Sequence, residues 1–168
     1  PYGTETMHLL RAEKGYVVIG QETDGTVTPI DLNFNWTIGK NKKDFIGKRS
    51  LIRSDTARED RKQLVGIVPL DKSKFIEEGQ HVVECKKLPA TINKPIQYLG
   101  HITSSYHSPN LNHCIAMGLV KGGNKLIGKK FFVTVPSETN NILVEIVKPV
   151  FIEYYEWTFK KFTRNRFD

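Results

Sequence analysis

QYLGHITSSYHSPNLNHCIAMGLV, residues Gln97 to Val120, reads as two strands around a turn. Gln97–Ser105 forms the first and Cys114–Val120 the second, with Ser108-Pro109 as the turn signal between them. The same pattern repeats outward. Strands are expected near Gln63–Val68 and His81–Cys85 on one side, and near Lys130–Val135 and Ile142–Val147 on the other. Their separators hold Gly79, Pro95, Gly122-Gly123, Gly128 and Pro136. Six short strands at this spacing predict an antiparallel barrel or sandwich. Pro149 to Phe159 is aromatic-rich and is expected to close it, and a basic tail follows over 158–168.

Upstream the character differs. Thr4 to Lys14 is expected as a helix, with Thr4 as cap, Met7 and Leu10 (and Leu9) as an apolar stripe, and Gly15 as a left-handed stop. Glu13 lies three residues beyond Leu10 and flanks that stripe. On these grounds it is either an ordinary solvent-facing carboxylate or a functional one. Tyr16 to Gly20 reads as a short strand, and Asp24-Gly25 as a turn. Thr28-Pro29 opens a second helix that carries Trp36, with Asp31 in its first turn. Asp44 caps a third helix through Phe45, Ile46 and Leu51 to Arg53, weakened by Gly47. Ser54 to Lys62 is charged, lacks apolar periodicity and marks a linker. The fold class is α+β, with one unit over 1–55 and the barrel over 56–157.

A chain of 168 residues with 39% hydrophobic residues holds one compact domain, or one and a half. No apolar run approaches the ~20 residues of a membrane span. The opening Pro1-Tyr2-Gly3 suggests a piece of a longer polypeptide. Cys85 and Cys114 sit in apolar runs and are expected as reduced, buried thiols of a cytoplasmic protein. The net charge of +7 is uneven: Lys40 to Lys62 holds nine Lys/Arg against four Asp/Glu. Such a run is a solvated face, a polyanion site, or a rim that attracts an anionic ligand tail.

Motif chemistry is sparse. There is no phosphate loop, no G-x-G-x-x-G, no H-E-x-x-H and no G-x-S-x-G. Ser104, Ser105 and His107 share one strand and its exit without an orienting acid, which argues against a hydrolase. His101 and His113 are expected as packed or surface side chains.

Several runs, taken together, resemble the aminomethyltransferase family typified by the glycine cleavage T-protein. They are LLRAEKG (Leu9–Gly15), Thr28–Asp31, WTIGK (Trp36–Lys40), DFIG (Asp44–Gly47), LGHITSS (Leu99–Ser105) and IAMGLV (Ile115–Val120). The opening PYGTETMHLLRAEKG and the loop GQETDGTVTP are similar to the branch formed by alpha subunits of heterotetrameric sarcosine oxidases. The resemblance implies the end of a folate-binding domain over 1–55, followed by a six-stranded barrel. It implies tetrahydrofolate as ligand and one-carbon transfer as chemistry, with sarcosine oxidised at a flavin in another subunit. FAD, FMN and NAD are expected elsewhere in the full enzyme. Partners are then folate, the other subunits and the upstream part of the same polypeptide, with neither membrane nor nucleic acid expected.

By the same resemblance Glu13 would hydrogen-bond the pterin ring, because a carboxylate accepts two N–H groups from its amino-pyrimidine edge. Lys42 stands where the family has a folate-contacting arginine and lacks the bidentate fork. Trp36 is read first as core packing and then as a pocket wall, and Tyr154 as an aromatic that approaches folate or packs. The family's catalytic aspartate is expected upstream, so this piece alone is expected to be inactive. Alternatives are a stand-alone aminomethyltransferase, a folate-dependent demethylase, and a barrel that binds nucleic acid.

Overall fold

In the computed structural model residues 1–88, 95–136 and 140–153 are described. The expected Tyr154, the tail and part of the aromatic run lie outside them. Strands β1 (Lys62–Pro69), β2 (His81–Val83), β3 (Gly100–Ser108), β4 (His113–Lys121), β5 (Lys130–Val133) and β6 (Ile142–Val147) form a closed barrel in the order β1-β4-β3-β2-β5-β6. Every pairing is antiparallel. Closure comes from β1 against β6, with Ile67 opposite Ile146, and not from the aromatic run. A strand paired on both sides leaves no open edge, which is how a small sheet protects its unpaired N–H and C=O groups.

β4 decides how the rest is arranged. Its residues alternate between two cores, as a period of two requires. Cys114, Ala116 and Val120 join Val65, Ile67, Ile102 and Ile146 inside the barrel. Ile115, Met117 and Leu119 face outward and join Leu64, Ala12 and Leu32. A strand buried on both faces must be apolar throughout, and CIAMGLV is. The cover over its outer face is the first 34 residues, through Ala12, Leu32, Leu9, Val17, Val27 and Phe34. Phe151 joins the same outer cluster.

Only one of the expected upstream helices survives at length. α1 runs Thr4–Glu13 with Gly3, not Thr4, as its cap and no side-chain cap bond. Of its expected stripe only Leu9 packs against the barrel: Met7 is 51% and Leu10 45% exposed, while Ala12 and Glu13 are buried. Gly15 takes φ +74° as the left-handed stop, and a Cβ there would meet Pro149 O at 2.6 Å. The helix end thus lies against the chain that leaves β6. Tyr16–Gly20 is not a strand but a turn that wraps Glu22, whose carboxylate accepts the Val18 N–H at 2.7 Å. The helix expected at Thr28-Pro29 stops after one turn because Asn33 adopts φ +65°, and a short 3-10 turn Asn35–Thr37 follows. Gly47, at φ +96°, breaks the third, leaving α2 as Lys48–Leu51. Segments without their own periodic apolar face have nothing to stabilise a long helix.

Candidate functional site

Three carboxylates of the covering segment are buried: Glu13 at 3%, Glu22 at 0% and Asp31 at 2% exposure. A buried carboxylate is costly unless hydrogen-bonded, so its partners define the site.

Glu13 is neither solvent-facing nor unpartnered. Ser108 Oγ donates to its Oε1 at 2.6 Å, and Asn110 Nδ2 lies 3.1 and 3.0 Å from its two oxygens. Its main-chain carbonyl accepts the N–H groups of Phe151 and Ile152, each at 3.0 Å. Lys14 Nζ donates to Ile152 O at 2.9 Å. The end of α1 is therefore held by the β3–β4 turn and by the segment after β6.

Glu22 is the carboxylate that sequence reasoning missed. Arg11 Nη1 meets it at 2.9 Å, Thr103 Oγ1 donates to it at 3.2 Å, and Ser104 Oγ donates to it as well. Thr103 and Ser104 are neighbours, and neighbours on a regular strand point to opposite faces. The register shift between Ile102 and Ser104 is a bulge, and it turns both hydroxyls towards Glu22. Arg11 also reaches Gln21 Oε1 at 2.9 Å, Ser104 Oγ at 2.7 Å and Tyr106 OH at 3.2 Å. Ser104 thus serves a buried ion-pair network rather than a nucleophile. The available sequence signal was the hydroxyl run Thr103-Ser104-Ser105 within a barrel strand.

Asp31 accepts from Arg61 Nε at 3.0 Å and Nη2 at 2.8 Å, and from Thr28 N and Oγ1, each at 2.9 Å. The expected surface linker therefore anchors the cover through Arg61. Burial pushes the Asp31 carboxyl up, and the bonds from Arg61 and Thr28 outweigh it, so the group titrates below the ordinary aspartate range. A lowered folded value stabilises the protein above the unfolded value and is lost as pH falls through the folded one. Stability should therefore drop below about pH 4. Asp31→Asn should narrow its gap to the parent as urea unfolding is moved from pH 7 towards pH 3. A gap that stays constant would overturn this assignment.

Lys42 lies elsewhere, in a cleft of about 690 Å³ with Thr28, Ile38, Gly39, Phe45 and Arg53 among its lining residues. Glu13 is not among those residues. Trp36 is 79% exposed and sits edge-on to Phe34, ring centroids 6.2 Å apart, so it is no core residue. Ile46 and Ile52 nearby are also exposed, at 104% and 74%. Cys114 is buried with its thiol pushed up by burial, whereas Cys85 is exposed, contrary to expectation. Burial, helped by Lys62 and His81, pushes His101 down. Among the described residues no helix is long and apolar enough to cross a membrane.

The comparisons with known proteins agree with this architecture. The chain is 44% identical over 144 residues to "Sarcosine oxidase subunit alpha" of Corynebacterium sp. (strain P-1), covering 86% of this chain and 15% of that protein. The same-named protein of Rhizobium meliloti is 37% identical over 153 residues, again spanning 15% of its length. An "Aminomethyltransferase" of Clostridium botulinum is 33% identical over 136 residues, covering 80% of this chain and 34% of that one. The crystal structure of the glycine cleavage system aminomethyltransferase T from Bartonella henselae superposes with a TM-score of 0.69 at 24% identity, covering 87% of this chain and 38% of that chain. At that identity it supports the fold alone. The GCVT N-terminal domain model matches residues 1–42. With the glycine cleavage T-protein C-terminal barrel domain model matching residues 62–153, and the closed barrel found there, the chain belongs to the glycine cleavage T-protein family.

Proposed function

We propose that this chain is part of a folate-dependent one-carbon enzyme of the sarcosine oxidase alpha-subunit type. The supporting observation is its 37–46% identity to three such subunits, against 33% to aminomethyltransferases. The chain spans about 15% of the length of those subunits, so most of the machinery lies outside it. Flavin and dinucleotide sites, further subunits, and cover for the exposed Trp36, Ile46 and Ile52 belong to those other parts in this reading.

Tetrahydrofolate, when bound, supplies the nitrogen that accepts the one-carbon unit. The residues present suit such a ligand at two points. Glu13 offers a fixed, desolvated carboxylate to a ring N–H, where such a bond gains strength from low local polarity. Lys42 places a cation in the lining of a cleft, which attracts an anionic glutamyl tail until salt screens it. The barrel and the Arg11–Glu22 network hold the Glu13 helix still, and placement is what transfer chemistry of this kind requires. Trp36 and Tyr154 remain candidate aromatic walls in the assembled pocket.

The whole protein should be given sarcosine with and without tetrahydrofolate. Oxidation of the N-methyl group followed by hydrolysis releases formaldehyde. Less free formaldehyde is expected when tetrahydrofolate is present, at unchanged sarcosine consumption. Glu13→Ala should weaken tetrahydrofolate binding by roughly 1.5–3 kcal/mol in calorimetry. No sarcosine oxidation, with aminomethyl transfer from a lipoyl carrier instead, would favour the aminomethyltransferase reading.

A further inference from the structure

The Glu13 carboxylate is already partly used. Asn110 Nδ2, at 3.1 and 3.0 Å from the two oxygens, sits in the fork between them. That is the place a ring edge would take for a two-pronged grip. Ser108 Oγ occupies a further position on Oε1 at 2.6 Å. A carboxylate has about four acceptor positions, and these two donors do not exhaust them.

Ser108 is itself fixed. Ser108 Oγ accepts the Leu111 N–H at 3.1 Å, so its single proton is directed at Glu13. Ser108 is fully buried and is paired with His113 across the turn. The Glu13 backbone is clamped by Phe151 and Ile152 on the other side. Neither the carboxylate nor Ser108 can turn without breaking these contacts, whereas Asn110 closes over Glu13 from the exposed turn.

We propose that Ser108 and Asn110 are positioning residues, which hold the Glu13 carboxylate in the orientation in which it accepts an N–H of the ligand. This rests on the reading that Glu13 meets the pterin. It gives the barrel a share in ligand recognition without touching the ligand.

The test is calorimetry of tetrahydrofolate on the whole protein, with thermal unfolding of the same variants alongside. Ser108→Ala and Asn110→Ala should each raise Kd by about 5–20-fold, the scale of one charge-assisted hydrogen bond. Ser108→Thr, which keeps the hydroxyl, should restore Kd to within about twofold. The double variant Glu13→Ala/Ser108→Ala should bind no more weakly than Glu13→Ala alone, because the serine acts through the glutamate. If an alanine variant does not fold, Ser108→Cys keeps the shape with a weak donor and takes its place. A lower melting temperature with unchanged Kd would reduce the two residues to structural ones and overturn the proposal. If Glu13→Ala itself leaves Kd unchanged, the pterin reading fails and the proposal fails with it. If Glu13→Ala weakens binding while Ser108→Ala and Asn110→Ala do not, only the proposal fails.

Discussion

Arg11→Ala is expected to lower the stability of the protein by about 3–5 kcal/mol, as removal of one partner from a buried ion pair does. The loss comes less from the missing attraction than from what is left behind. Glu22, with no exposed surface, would lose its guanidinium partner. Gln21, Ser104 and Tyr106 would lose a donor each. Lysine should recover less than half of the effect. Its ammonium is a compact charge on a flexible stem, whereas the planar guanidinium reaches four side chains in different directions. The exposed pairs Arg58–Asp55 and Lys121–Asp60 provide the contrast, since solvent screens them and side-chain entropy opposes them. Lys121→Ala should stay within about 0.5 kcal/mol of the parent. Urea unfolding of the three variants measures all of this. An Arg11→Ala loss below about 1 kcal/mol, the level of a surface pair, would show that the network does not hold the cover to the barrel.

Gly100→Ala is expected to have an effect of comparable size. A Cβ at Gly100 would lie 2.1 Å from Leu119 O and 2.7 Å from Val120 Cα. Both contacts are backbone, on the strand that Gly100 pairs with. A side-chain tip could swing aside, but a paired strand can only separate. β3 is held between β4 and β2, so separation would open the barrel. The loss should reach or pass the upper end of the ~1–3 kcal/mol seen for overpacking. Gly25→Ala is the control, since its Cβ would meet nothing within 4 Å. A Gly100→Ala melting temperature equal to that of Gly25→Ala would contradict the close approach of β3 and β4.

The barrel was legible strand by strand. Cys114–Val120 and Ile142–Val147 were expected nearly where β4 and β6 lie, because a two-residue alternation is a local property. β3 was displaced. It begins at Gly100 rather than Gln97 and runs on to Ser108. Its start is set by the tight passage of Gly100 against β4, and its end by a turn whose Ser108 reaches back to Glu13. The upstream half misled for a related reason. The Met7 and Leu10 spacing looks like a core stripe, yet the side of α1 that meets the barrel carries Ala12, Glu13 and Arg11. Trp36 looked like core and stands 79% exposed, edge-on to Phe34.

The amino-acid sequence by itself determined six short antiparallel strands with an apolar interior, and that α1 stops at Gly15; the β1–β6 pairing decided that the strands close into a barrel. Tertiary structure alone decided which carboxylates matter. Glu13 and Glu22 are buried only because hydroxyl and amide donors 81 to 97 residues away arrive beside them. The desolvation of a charge is set by what surrounds it in space, and no local pattern along the chain records that.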